Sequence, residues 1–134
     1  MDKFESKVTR SSSSAAALFA RFATLEGLTH AFQDERIRDV QADEDRCTFT
    51  IQGLGQCGVQ IVRRDPFKCV KYGDLNGRPT SFSLWIQFVE VGPADTRIRL
   101  TLHAELPMFI RMMAKKKIQS GLDQIAERVA SIVV

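Results

Sequence analysis

The chain has 134 residues, 44% hydrophobic and 26% charged, the make-up of one globular domain covering residues 1–134. At this size a single core removes roughly two thirds of the unfolded surface from water, so neither a disulfide nor a structural metal is required. The net charge of +3, from 19 basic and 16 acidic side chains, lacks the dense basic patch of a dedicated nucleic-acid domain.

The opening "KFESKVTR" alternates Phe4, Ser6 and Val8 with Lys3, Glu5 and Lys7, which predicts a strand. Four serines at 11–14 read as a turn ending in a helix cap, because a serine oxygen accepts from the free N–H groups of a first helical turn. Leu18, Phe19, Phe22 and Leu25 recur at helical spacing, Gly27 is the expected stop, and a second short helix is expected around 28–32. Residues 34–45 are heavily charged, with Ile37, Val40 and Ala42 as inward candidates, the pattern of an edge strand.

From Arg46 the pattern is that of strands. Cys47, Phe49 and Ile51 share one face, "GLG" at 53–55 makes a tight connection, and Cys57, Val59 and Ile61 form the next stripe. Asp65 and Pro66 mark a turn, Val70 and Tyr72 share a face, and "GDLNGRP" reads as a loop. Phe82, Leu84, Ile86 and Phe88 then face one way, as do Ile98, Leu100, Leu102, Ala104 and Leu106 after the "GPAD" turn. One dry and one wet face is the habit of an antiparallel sheet. The chain closes with Ile118, Leu122, Ile125, Val129 and Ile132 in steps of three and four, the stripe of a helix lying on that sheet.

This order of strand, short helices, a run of strands and a long helix resembles the helix-grip fold of the START-like or SRPBCC superfamily, which includes polyketide cyclase/dehydrase-like proteins and small bacterial members of unknown function. The features that carry it are "KFESKVTR", "AAALFARF", "TSFSLWIQFVEV" and "TRIRLTLHAELP" leading into "MFIRMMAKKKIQSGLDQIAERV". The resemblance implies an α+β fold: a curved antiparallel sheet of about seven strands wrapped around a long C-terminal helix, with one or two short helices after the first strand. It also implies a cavity between sheet and helix, used in larger members for lipids, steroids or polyketides.

The inward stripes offer little chemistry. They contain no histidine, lysine or carboxylate, and Tyr72 carries their one ionisable oxygen, expected to bury its ring and wet its hydroxyl. His103 falls on the wet face beside Arg99, Thr101 and Glu105, where Trp85 also falls, covering the outer sheet face or an interface. His30 lies near Asp34 and Glu35, with no nucleophile accompanying it. Cys47, Cys57 and Cys69 form no C-x-x-C pair and are read as reduced thiols packed in strands; no metal site and no cofactor are expected. Reduced thiols, a charged start without a signal-peptide core and no long apolar run make the cytoplasm the expected location.

The stretch "PMFIRMMAKKKI" at 107–118 breaks the pattern. At ~100° per residue, Met112 lies ~120° from Ile118, so the apolar stripe changes phase between Met113 and Ile118. Either the helix runs on and exposes a Phe/Met patch beside Lys115, Lys116 and Lys117, or the backbone bends and 107–114 form a lid. The bend is favoured, because burying such side chains stabilises by about 1.5–3 kcal/mol each.

The functional expectation is therefore a non-catalytic binding protein for an apolar or amphipathic, lipid-like small molecule. Tyr72, Leu84, Ile86, Phe88, Leu100, Phe109, Met112, Met113 and Ile118 are its expected cavity lining or lid, and no residue is assigned to catalysis. The alternatives are an interaction module with a filled cavity and a Phe/Met surface patch, and a polyketide cyclase/dehydrase-like enzyme using loop residues. Partners are expected to be an apolar small molecule, with no nucleic acid, no membrane span, and at most a weak contact with a membrane surface.

Overall fold

The structure, a computed structural model, describes residues 2–31, 35, 37–52, 55–75, 81–106 and 108–132, without the side chains of His30, Ala31, Phe109, Ile110 and Met113. The alternation at the start of the chain makes two strands, β1 (Asp2–Glu5) and β2 (Thr9–Ser11), where one was expected. Both pair antiparallel with β8 (Asp95–Ala104). Ser6 causes little loss at the interruption: its N–H donates to the Leu100 carbonyl and its Oγ accepts from the Leu100 N–H, each at 2.8 Å.

The serine tract is rigidly employed. Ser11 Oγ accepts from the Ser13 N–H, the Ser13 carbonyl accepts from Thr96 Oγ1, and Ser14 Oγ caps helix α1 (Ala15–Phe22) by accepting from the Ala17 N–H at 3.1 Å. Helix α2 (Leu25–Ala31) follows at once, with Thr24 Oγ1 accepting from the Gly27 N–H at 3.0 Å. Gly27 therefore does not stop a helix, as its composition led us to expect. It sits inside α2 because a Cβ there would stand 1.9 Å from the Arg21 carbonyl oxygen. Thr24 is the punctuation, since a threonine hydroxyl at this position satisfies an N–H that α1 could not.

Six strands complete the sheet: β3 (Ile37–Ala42), β4 (Arg46–Ile51), β5 (Gly55–Asp65), β6 (Cys69–Asp74), β7 (Phe82–Gly92) and β8. All pairs are antiparallel in the order β1-β8-β7-β6-β5-β4-β3, with β2 also on β8. β3 is the charged edge strand expected; it is bulged between Arg38 and Gln41, and exposes Val40. Asp43 ties it to β4, its Oδ1 accepting from the Asp45 and Arg46 N–H groups at 2.8 Å, and these bonds, that to Arg46 foremost, hold its carboxyl below the usual range.

Helix α3 (Met108–Ser131) is a single span of 24 residues. This overturns the favoured bend. The segment offers no proline or glycine to interrupt the hydrogen-bond ladder, and Ala114 and the three lysines are good helix formers. The gain from burying Met108 and Met112 was too small to break it. α3 lies over β1, β2 and β8, whereas α1 and α2 cover β6, β7 and the β3–β4 edge. Among the described residues no helix is long and apolar enough to cross a membrane.

Two helical glycines give a matched test of this packing. Gly27→Ala drives a Cβ into backbone and is expected to cost about 1–3 kcal/mol. Gly121→Ala in α3, with nothing within 4 Å of the new Cβ, is expected to stabilise by about 0.5–1 kcal/mol. Thermal unfolding of both variants checks the opposite signs.

Candidate functional site

The inner face of the sheet is built in rows set by strand register. Leu100, Ile86 and Val70 stand side by side on β8, β7 and β6, and all three are fully buried. Beyond them toward the β7–β8 turn lie Ile98 and Phe88, also closed off. Leu18, Phe22 and Leu25 of the short helices and Leu122, Ala126 and Val129 of α3 seal this end. Phe22 stacks on Phe88 at 6.5 Å between ring centroids.

Tyr72 completes the seal. The ring is fully buried, as expected, but so is the hydroxyl, which donates to the Phe22 carbonyl at the C-terminus of α1. The expectation of a wet hydroxyl is thus corrected: the last carbonyls of a helix have no partner within it, and a buried one needs a donor from elsewhere. Arg64 serves the next carbonyl, its Nε donating to Ala23 at 2.8 Å while its guanidinium pairs with Asp45 at 2.6 Å. Burial pushes the Tyr72 hydroxyl well above the ordinary tyrosine pKa, against a smaller opposing effect of Arg64.

The other end of the inner face is different. Register aligns Ile61, Tyr72, Leu84 and Leu102 across β5–β8, and here Ile61, Leu84 and Leu102 are only partly buried. Phe49 and Val59 on β4 and β5, Leu106 before α3 and Ile118 on α3 share that state. Burial thus falls along β7 from Phe88 and Ile86 to Leu84 and Phe82. The result is a set of half-open apolar side chains on the far strands and at the start of α3, interleaved with buried Phe4, Ala104, Cys47 and Cys57.

The expected site residues therefore divide. Tyr72, Ile86, Phe88 and Leu100 belong to the sealed core, while Leu84 and Ile118 sit on the half-open surface. Met112 lines neither, being 82% exposed on the outside of α3. The side chains of Phe109 and Met113 lie outside the described residues, as does that of His30 with Asp34. One polar residue escaped the sequence reading. Asp74 was assigned to a loop but ends β6, so the alternation that turns Val70 and Tyr72 inward continues to it. Its Oδ1 accepts from the Phe82 N–H at 2.9 Å, closing the start of β7. The pairing of Gly73 with Ser83 was the missing signal, and it is long-range.

The outer face is held by its own contacts. Trp85 meets the His103 ring edge-on at 4.7 Å, and Lys71 Nζ lies 4.9 Å above the Trp85 ring. Trp85 thus covers the outer sheet face rather than standing free. Cys47, Cys57 and Cys69 are free, and burial pushes each thiol up, which disfavours the reactive thiolate.

This sheet-and-helix arrangement is the START-like helix-grip fold. It is similar to a START superfamily protein from Mycobacterium smegmatis (12% identity, TM-score 0.65, 95% of this chain and 96% of that one). It is also similar to norcoclaurine synthase from Thalictrum flavum in complex with dopamine and hydroxybenzaldehyde (14%, TM-score 0.69, 96% and 84%). A third likeness is to the Aha1 dimer from Colwellia psychrerythraea (17%, TM-score 0.58, 95% and 99%). Identities this low carry the fold alone. No protein-family model and no curated protein sequence matches the chain.

Removing the Tyr72 hydroxyl tests the seal. Tyr72→Phe leaves the Phe22 carbonyl buried without that donor, and is expected to cost about 1–3 kcal/mol in denaturant unfolding. The raised pKa gives a second readout. The contribution of the neutral phenol is fully present below the unfolded-state pKa of about 10 and is lost as pH rises beyond it. Wild type is expected to lose stability above about pH 10 more steeply than Tyr72→Phe.

Proposed function

We propose that this protein is a non-catalytic carrier or receptor for an apolar or amphipathic small molecule, held between the sheet and the early half of α3. The observation that carries this reading is the fall of burial along the inner side of β7, from Phe88 and Ile86 to Leu84 and Phe82. One end is sealed by side chains excluded from water, and the other keeps Phe49, Val59, Leu84, Leu102 and Ile118 only partly covered. Half-covered apolar side chains gain by further burial, and a low-polarity ligand buries them without losing hydrogen bonds of its own. The helix-grip fold supports the small-molecule part of this reading, since norcoclaurine synthase, of similar fold, is in complex with dopamine and hydroxybenzaldehyde.

A cyclase-like activity finds less support. Tyr72, Asp74, Arg64, Glu90 and Asp2, ionisable groups on the inner side of the described strands, are all engaged in holding the fold. Burial places the Tyr72 proton out of reach of neutral-pH acid–base exchange. The buried thiols agree with a reducing, cytoplasmic setting.

The test is a titration with anilinonaphthalene sulfonate and a fatty-acid series, alongside native mass spectrometry of gently purified protein. Wild type is expected to bind, and Leu84→Trp, which fills the half-open surface, to weaken binding by about tenfold or more while remaining folded. Absence of any bound species, with no probe or fatty acid taken up by folded wild type, contradicts the reading.

A further inference from the structure

The unbroken course of α3 leaves a surface that the ligand reading does not use. Met108 and Met112 are 73% and 82% exposed, the two most exposed large apolar side chains described. At ~100° per residue they lie ~40° apart on the helix surface, with Lys115 ~20° to one side and Lys116 ~40° to the other. Arg111 extends the first flank by a further ~40°. Lys115, Lys116 and Lys117 are all exposed, and no acidic residue lies between Glu105 and Asp123. Arg111 is held by Asp2 at 2.8 Å, which fixes this face outward against β1.

We propose that the early turns of α3 are a docking surface for an anionic lipid membrane. Two exposed methionines bracketed by cations reproduce, on one side of a helix, the pattern of an interfacial helix: apolar side chains enter the acyl boundary and cations meet the phosphates. Lysine suits this because its long stem lies along apolar groups while the ammonium reaches the headgroup. Methionine suits it because an unbranched thioether adapts to a disordered apolar medium. A bilayer is a continuous partner for one flank of a helix and supplies the complementary charge. The same turns border Ile118 and Leu106, so a docked protein presents its half-open inner face near the lipid.

The surface stands on these side chains and not on the ligand reading. A protein that binds vesicles but takes up no probe keeps the membrane surface and loses the ligand site. The experiment is flotation of the full chain with phosphatidylcholine vesicles, with and without phosphatidylserine, at low and high salt. Wild type is expected to float with phosphatidylserine vesicles at low salt, and to be released by salt. Lys115→Gln with Lys116→Gln is expected to weaken this by about 30-fold. Met108→Gln with Met112→Gln is expected to weaken it at both salt concentrations, with helical content unchanged in every variant.

Wild type that remains at the bottom of the gradient at low salt overturns the proposal. Flotation indifferent to phosphatidylserine and to the lysine changes overturns it too. So does capture of the protein by an acidic amphipathic peptide through the same residues when vesicles fail to bind.

Discussion

A buried helix end must find a donor, and here Tyr72 supplies it. α1 is eight residues long and could not hold itself together in water; it persists because its apolar side is packed and its last carbonyls are served from the sheet. Tyr72 reaches Phe22 from within the core and Arg64 reaches Ala23 from the C-terminal end of β5. These two bonds lock the turn between α1 and α2 onto β5 and β6. With that turn fixed, Leu18, Phe22 and Leu25 close one end of the inner face completely. The strands β1, β2 and β8 lie under α3 instead of under the short helices.

α3 covers what they do not, but unevenly. Its later turns run beside the N-terminal segment in a polar seam: Gln119 to the Glu5 carbonyl, Asp123 to the Lys7 N–H, Glu127 to the Lys7 ammonium and the Ala126 carbonyl to Thr9 Oγ1. The seam reaches Ser13, whose hydroxyl donates to the Ile132 carbonyl. Toward the start of the helix, Arg111 to Asp2 continues it. α3 is thus secured over β1, β2 and β8, and its flank at Met108 and Met112 is left to solvent. Sealed core, half-open surface and exposed flank are three consequences of where two sets of helices rest on one sheet.

Much of this was legible in the chain. Alternation in β7 and β8 and the stripe from Ile118 to Val129 declared their inward sides, because those periods are set by local geometry alone. The cap at Ser14 was legible for the same reason. What escaped depends on partners distant in sequence. Gly27 looked like a stop because its close approach to the Arg21 carbonyl cannot be seen in composition. Tyr72 was placed inward, but its hydroxyl's partner is fifty positions away in the sequence. Asp74 was hidden in a loop whose first residue the β6–β7 pairing claims for the sheet. The phase change at Met113–Ile118 is real in the sequence, but the ladder of backbone bonds outweighs the burial that a bend would bring.

The central claim is that ligand meets one end of the inner face and never the other. Methyl-resolved nuclear magnetic resonance during titration with a fatty acid tests it most directly. The account predicts that methyl signals of Leu84, Leu102 and Ile118 shift with saturation while those of Ile86, Leu100 and Val129 stay in place. Unmoved signals at Leu84, Leu102 and Ile118, or shifts confined to Met108 and Met112 on the outside of α3, would contradict it.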